Sequence, residues 1–276
     1  MITASDIQKN NPVLIVYPAG VGGEHIAHTL SLCSEEFEVT HTRFNPDVNQ
    51  YHTICLFRYS SEIPDISDIN TAIDSQYDGD VNNNLRIVLK DHPTERTLQF
   101  YSRHFNSIKT LFLTPTQQAS IDYFSELAFK KLAVKVRCPI NKSYVENEIS
   151  PSLDQQQMQH IIKCANHYDW VWRHELHILN TEIRDIGLEA VLRHTDTLDE
   201  AIGHHKNELI NTQYKVAEYR STLQDCHSIS VDDIAIKQNS ESLWEQINKH
   251  VGSIDVAKAT NITNTWINKN NELTLP

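Results

Sequence analysis

The chain has 276 residues, with 24 Lys and Arg against 36 Asp and Glu, which gives a formal net charge of −12 at pH 7. This acidic surplus argues against broad electrostatic binding to nucleic acid or to an anionic membrane, and leaves only a local basic pocket open. A chain of this length can bury a large core.

Cysteine spacing and hydropathy narrow the cellular setting. The five cysteines never form a Cys-x-x-Cys pair, so the sequence predicts neither a disulfide framework nor a zinc ribbon. We expect reduced thiols and a cytoplasmic protein. The polar N-terminal residues carry no secretory signal pattern. No stretch approaches the roughly 20 apolar residues of a membrane span, so we expect no membrane association.

The first predicted element is a buried strand at residues 13–17, which leads into the turn Pro-Ala-Gly-Val-Gly-Gly at residues 18–23. Ile26, Ala27 and Leu30 follow at helical spacing. The first amides of a helix lack intrahelical partners, and glycines let the backbone approach a ligand closely. This strand, loop and helix therefore predict an anion site. A tight turn that binds no ligand is the alternative.

Strands and helices alternate through the rest of the first half. Strands are predicted at residues 37–40, 53–57, 86–90, 109–114 and 133–137, and helices at 69–75, 94–105 and 116–132. The alternation predicts an α/β fold, with a mostly parallel sheet of about five strands and helices on both faces. Ligands of such folds bind at the carboxyl ends of the strands. We therefore expect the glycine loop and residues 90–93 to share one crevice.

The second half is predicted to be mainly helical. Helices are expected at residues 152–180, 197–209 with an extension towards Arg220, 240–250 and 255–268, with a short strand at 228–231. We divide the chain into an α/β core, residues 1–140, and a helical portion, residues 141–276, packed on it in the same domain. The last two helices have predicted buried anchors at Trp244, Ile247, Val251, Ala259 and Trp266.

Two stretches resemble the P-loop-like sulfotransferase family over residues 12–137. Ile15-Val-Tyr-Pro-Ala-Gly-Val-Gly-Gly23 is similar to the strand and Tyr-Pro-Lys-Ser-Gly-Thr-Thr loop that surround the 5′-phosphosulfate of 3′-phosphoadenosine 5′-phosphosulfate. Arg86-Ile-Val-Leu-Lys-Asp-His-Pro93 is similar to the family's strand ending in Lys-Thr-His-Leu-Pro, whose histidine deprotonates the acceptor.

The resemblance implies transfer of a sulfuryl group from this co-substrate to a hydroxyl or amine of a small-molecule or glycan acceptor, with no metal. His92 would be the base, and the ordinary pKa of imidazole, about 6.5, suits that task. Lys90 would neutralise the transferring group, and Ser120 would meet the 3′-phosphate. The residues implied at the donor are Pro18, Gly20, Val21, Gly22, Gly23, Glu24 and His25. Glu24 is otherwise expected only to complement the helix dipole.

The sequence also departs from the family. Ala19 stands at the place of the loop lysine, and Pro115 stands near the place of an arginine. Two further functions therefore stay open. One is another P-loop-type nucleotide user such as a kinase, for which Asp91 is the available acid. The other is a non-catalytic interaction or structural protein, which Ala19 favours. For residues 91–94, the alternative is a strand-to-helix turn in which polar side chains cap the next helix.

Histidines outside these stretches are interpreted as surface residues. His160, His167 and His174 recur every seven residues, about 10.5 Å apart along a helix axis, which is too far to share a metal ion. His174 and His177 are one residue short of the His-Glu-x-x-His spacing. The adjacent pair at residues 204 and 205 is likewise expected at the surface. The oligomeric state is not predicted.

Overall fold

The computed structural model of the chain describes residues 9, 11–37, 43–45, 50–52, 86–105, 108–136 and 197–273. The elements predicted at 53–57, 69–75 and 152–180, the division between residues 140 and 141 and the histidines at 160–177 lie outside the described residues. The strands are β1 Val13–Val16, β2 Arg43–Asn45, β3 Gln50–His52, β4 Val88–Asp91, β5 Lys109–Thr114 and β6 Cys226–Ser230. The helices are α1 Gly23–Leu32, α2 Glu95–His104, α3 Gln118–Val136, α4 Leu198–Thr222, α5 Asp232–Ile236, α6 Glu241–Val251 and α7 Val256–Asn271.

Four parallel strands form the main sheet in the order β4-β1-β5-β6. Val13 lies opposite Val88 on one side and Lys109 on the other, and Thr110 lies opposite Cys226. Strands β2 and β3 form a separate antiparallel pair. The predicted α/β fold with a parallel sheet is confirmed, with four strands in the main sheet among the described residues instead of about five.

The strand predicted at residues 133–137 is wrong for its described part, because residues 133–136 are the last turn of α3. No glycine, proline or turn residue lies near residues 132 and 133, so nothing in the sequence ends the helix there. Alternating apolar residues in so short a segment are compatible with either structure. The helix predicted at 116–132 thus begins two residues later and continues through Val136.

One face of the sheet packs against α2 and α4. Leu14, Val16, Leu89 and Phe112 of the strands are all fully buried in this cluster. The two helices and the residue that follows each contribute Leu98, Phe100, Tyr101, Phe105, Val216, Tyr219 and Leu223. The Tyr219 hydroxyl also donates to the carbonyl oxygen of Thr94 over 2.9 Å. These contacts join the start of α2 to α4.

The opposite face is covered by α1, α6 and α7. Side chains alternate along a strand, so Val13 and Ile15 point away from the first cluster, and both are fully buried. Helix α1 contacts β1 and β4, α6 contacts β6, and α7 contacts both α1 and α6. Helices therefore cover both faces of the sheet, which explains why the strands are apolar on both sides.

Helix ends and anchors in the second half follow the prediction closely. All five predicted anchors of the last two helices are buried, Trp244, Ile247, Val251, Ala259 and Trp266. Helix α4 includes the predicted extension to Arg220. Strand β6 begins two residues before the predicted start at residue 228. No described helix is both long enough and apolar enough to cross a membrane.

The chain divides into two compact units. The first comprises Met1–Phe124 and Lys206–Glu272, and it contains the four-stranded sheet and the loop after β1. The second comprises Ser125–His205 and Leu273–Pro276. In the second unit the His205 ring nitrogen Nδ1 lies 3.3 Å from Ser125 Oγ, and its side chain is buried. The predicted surface position is therefore wrong for His205.

Candidate functional site

The glycine loop lies where the order of the strands reverses. Strand β1 pairs with β4 on one side, and the chain then crosses to β5 on the other side. In open parallel sheets such a switch point opens a crevice at the carboxyl ends of the strands. The backbone N–H of Tyr17 donates to the carbonyl oxygen of Asp91 over 3.1 Å. The loop after β1 and the end of β4 are therefore adjacent, as the sequence predicts.

Two glycines set the shape of the loop. Gly20 and Gly22 have φ angles of 84° and 82°, in the left-handed region that favours glycine. The N–H of Val21 donates to the carbonyl oxygen of Pro18, and the N–H of Ile26 donates to that of Gly22, which begins α1. No side chain caps α1 at Gly22. The geometry has the form of the anion-binding loops that precede helices.

Aromatic rings pack closely on this loop. A Cβ atom at Gly22 would overlap the indole of Trp266, and one at Gly23 would overlap the ring of Tyr17. The Trp266 indole also stacks on His25, with ring centroids 4.7 Å apart and an interplanar angle of 10°. Helix α7 therefore reaches the loop through Trp266. Sequence reasoning identified Trp266 only as a buried anchor, because helical spacing does not say which element an apolar face will meet.

His92 faces the loop from the end of β4. Its Nδ1 lies 3.0 Å from the carbonyl oxygen of Tyr17, and the two rings meet edge to face at 4.9 Å. A carbonyl oxygen only accepts hydrogen bonds, so Nδ1 carries the proton and Nε2 of the neutral ring carries the lone pair. The His92 side chain is exposed. This tautomer allows His92 to take a proton from a bound acceptor.

Lys90 and Glu24 form an ion pair between β4 and the first turn of α1. Their side chains are only 9% and 14% exposed. The pair connects the strand that leads to the predicted base with the loop predicted to bind the sulfuryl donor. However, Glu24 already balances the charge of Lys90. The predicted role of Lys90 at a transferring group therefore requires the ammonium to exchange Glu24 for the ligand.

Asp91 points to the other face of the sheet. Burial raises the pKa of its carboxyl to about 7, although the N–H of His92, the charge of Lys90 and the Thr97 hydroxyl all act to lower it. The hydrogen bond from His92 N to Asp91 Oδ1 is 2.8 Å long. A carboxyl in this setting carries less negative charge at neutral pH than an exposed one, which makes it a poor ligand for magnesium.

Thr94 begins α2 as a helix cap. Its side-chain oxygen accepts from the backbone N–H of Thr97 over 3.0 Å. This is the capping alternative predicted for residues 91–94, and it is confirmed for Thr94. The Thr94 cap and the position of His92 at the loop are compatible, so the same turn provides both.

Ser120 lies in the first turn of α3 and is fully buried. Burial alone would raise the pKa of the neighbouring Asp232, but hydrogen bonds from Thr116 and Ser230 hold it below its ordinary value. A phosphate at Ser120 would meet this ionised carboxylate. The predicted contact of Ser120 with a 3′-phosphate stays a prediction, and the charge of Asp232 disfavours it.

Across the described ranges, His, Cys, Asp and Glu side chains form no group of three or more that could hold a metal ion. Comparison of the chain with family models, with curated proteins and with solved structures finds no match. The fold and the site define a class, a parallel α/β protein with a glycine loop at the switch point of its sheet. The sulfotransferase resemblance rests on residues 15–23 and 86–93 alone.

Proposed function

We propose that the chain is a sulfotransferase-like enzyme that moves a sulfuryl group from 3′-phosphoadenosine 5′-phosphosulfate to a hydroxyl or amine. The observation that carries the proposal is the meeting of His92 with the β1–α1 loop, where Nδ1 lies 3.0 Å from the carbonyl oxygen of Tyr17. We further propose a cytoplasmic protein with a small-molecule or glycan acceptor. The net charge of −12 supports a role without nucleic acid or membrane as partner.

The proposed step needs one base and a set of hydrogen-bond donors. Nε2 of His92 takes the proton of the acceptor hydroxyl or amine, and the acceptor atom forms a bond to sulfur. The bond between sulfur and the donor phosphate oxygen breaks, and 3′,5′-adenosine diphosphate leaves. Like phosphoryl transfer, this reaction depends mainly on donors aimed at the transferring group. The amides around Gly22 and Gly23 are the proposed donors.

Binding of the nucleotide product tests the loop directly. Asn and Asp both tolerate the left-handed conformation of Gly20 better than other residues with a side chain, and they differ in charge and not in size. We expect 3′,5′-adenosine diphosphate to bind the wild type and Gly20→Asn in titration calorimetry. We expect Gly20→Asp to bind at least tenfold more weakly, because its carboxylate repels the anion. Equal affinities of the two variants would contradict a nucleotide in this loop.

Removal of the base tests the chemistry. The side-chain amide of Asn can replace the Nδ1–H of His92 towards Tyr17 but offers no counterpart to Nε2. We expect His92→Asn to keep product affinity and to reduce transfer of labelled sulfuryl about 10²- to 10⁴-fold, the range for loss of a general base. The assay uses the labelled donor with a set of hydroxyl and amine acceptors. Unchanged transfer in the variant would exclude His92 as the base.

A non-catalytic binding or structural protein is the second candidate. Two contacts favour it: Glu24 neutralises Lys90, and Trp266 packs on Gly22. Both contacts occupy groups that the nucleotide co-substrate would use. Calorimetry separates the two candidates. An absence of heat with 3′,5′-adenosine diphosphate up to millimolar concentration supports the second candidate and contradicts the first.

A further inference from the structure

A cavity lies at the amino ends of the strands, opposite the end of the sheet that carries the glycine loop. Its volume is about 380 Å³, which falls in the range of roughly 300–1,000 Å³ typical of small-molecule sites. Its walls include Glu36, Arg86, Lys109, Asp225 and His250. Lys109 begins β5 and Asp225 immediately precedes β6. The cavity is therefore separate from the glycine loop, which lies at the carboxyl ends.

Arg86 is held rigidly in this wall. Its Nε donates to the carbonyl oxygen of Asn11 over 2.9 Å, and Nη1 contacts Glu36 Oε2 at 3.2 Å and the carbonyl oxygen of Val251 at 3.4 Å. The guanidinium lies 4.7 Å from the centroid of the Phe37 ring. The two N–H groups of Nη2 take no part in these three bonds. A fixed guanidinium with unused donors is well suited to hold an acceptor group.

The carboxylates of the wall are already occupied as acceptors. Asp225 Oδ2 pairs with Lys109 Nζ at 3.2 Å, and Oδ1 lies 2.6 Å from His227 Nε2. Glu36 accepts from Ser253 and from Arg86. Each carboxylate oxygen of the wall therefore has a partner among the described residues, whereas Arg86 Nη2 and the remaining N–H groups of Lys109 Nζ make no hydrogen bond with those residues.

Charge balance limits the ligand further. Burial acts to raise the pKa of Asp225, but hydrogen bonds from His227 and Lys109 lower it overall. Hydrogen bonds from Ser253 and Arg86 lower the pKa of Glu36. Two cations thus face two ionised carboxylates. His250 stacks on His227 with centroids 3.8 Å apart and presents a ring to the cavity. A doubly charged phosphate would be repelled by both carboxylates more strongly than a single carboxylate.

We propose that this cavity binds a small organic molecule through one carboxylate, which accepts hydrogen bonds from Arg86 and Lys109. The rest of the ligand lies against the His250 ring. This site is independent of the function proposed for the glycine loop, because none of these residues belongs to that loop or to the end of β4.

The test uses titration calorimetry of the full chain with acetate, glutarate and benzoate at constant ionic strength, with benzamide and phosphate as comparison probes. We expect at least one carboxylate to bind, and benzamide and phosphate to bind at least tenfold more weakly. Carboxylate binding should also shift the ring NMR signals of His250 and His227.

Two variants place the ligand. Lys109→Gln should weaken carboxylate binding at least fivefold, and Lys237→Gln, which removes a 66% exposed lysine immediately after α5, should leave it unchanged. The binding of 3′,5′-adenosine diphosphate should be equal in all three proteins. The proposal is overturned if none of the carboxylates binds, if phosphate or benzamide binds as tightly, or if Lys109→Gln has no effect.

Discussion

Lys90 and Asp91 are neighbours in β4, but their side chains lie in different electrostatic environments. Successive side chains of a strand point to opposite faces. Lys90 meets Glu24 on the side of α1, and Asp91 meets Thr97 of α2. One position along the strand therefore separates a paired cation from a buried carboxyl whose pKa is raised.

Glu24→Gln changes the charge of the donor loop. It removes an anion from the first turn of α1 and leaves Lys90 available to a ligand anion. We expect 3′,5′-adenosine diphosphate to bind about three- to tenfold more tightly in calorimetry, which corresponds to roughly 0.7–1.4 kcal/mol. Without ligand, we expect the variant to be less stable by about 1–3 kcal/mol, since Lys90 loses its counter-charge.

Glu95→Gln is the matched control, because Glu95 lies in the first turn of α2, where its side chain is exposed. This change should alter neither nucleotide affinity nor stability by a measurable amount. Weaker nucleotide binding in Glu24→Gln would show that the carboxylate supports the site and does not compete with the ligand.

Asp91 makes the stability of the fold depend on pH. Its pKa is raised from 3.8 to about 7 in the folded protein. Between pH 4 and 7 the folded state keeps a proton that the unfolded state releases, so rising pH lowers the free energy of unfolding across this window. Asn resembles the protonated carboxyl. We expect Asp91→Asn to be more stable than the wild type by about 1–3 kcal/mol at pH 8 and similar to it at pH 4.

Urea denaturation at pH 4, 6 and 8 measures this difference. Asp122→Asn is the control, because that carboxylate is 40% exposed and pairs with Lys206 at 2.7 Å. It should give no gain at pH 8. An Asp91→Asn protein whose stability relative to the wild type does not change with pH would mean that Asp91 is ionised in the folded state.

At the level of elements, the local sequence pattern predicts a helix or strand correctly where a segment has one clear hydrophobic period and clear ends. The strand at 109–114 was predicted with its observed bounds, Lys109–Thr114. Residues 133–136 were not, because the helical signal before them has no stop. The contact of Trp266 with Gly22 was not predicted. Trp266 lies far along the chain from the loop, and neither spacing nor composition identifies it as a neighbour.

The sequence placed the glycine loop and the end of β4 in one crevice, and the backbone bond between Tyr17 and Asp91 agrees with this. It did not predict that Glu24 would neutralise Lys90. An acidic residue in the first turn of a helix is explained by the helix dipole alone, so its second partner leaves no signal in the sequence.

Helix α7 carries Trp266 to the loop and begins with a capping aspartate. Asp255 Oδ1 accepts from the N–H of Lys258 over 2.9 Å, and the side chain is exposed. We expect Asp255→Ala to lower stability by about 1 kcal/mol in urea denaturation. Asp255→Asn retains the acceptor and should lose no more than a few tenths of that. Equal losses in the two variants would assign the effect to charge and not to the cap.

The whole molecule depends on both ends of the chain. The first unit combines Met1–Phe124 with Lys206–Glu272, and its core needs Val216 and Tyr219 of α4 and Leu223 immediately after it. We expect a chain that ends at residue 196 to show no cooperative urea transition and no near-ultraviolet circular dichroism. A chain without only residues 273–276 should keep both. Cooperative unfolding of the shorter chain would contradict this dependence.

Strand β6 pairs with β5 but follows it by more than a hundred residues. During synthesis, at roughly 5–20 residues per second, about 6–23 seconds pass between the two strands. For that interval the backbone groups of Lys109–Thr114 that later pair with Cys226–Ser230 have no strand beside them. A nascent chain of this kind is a substrate for chaperones that shield strand edges, and fast overexpression at high temperature favours its aggregation.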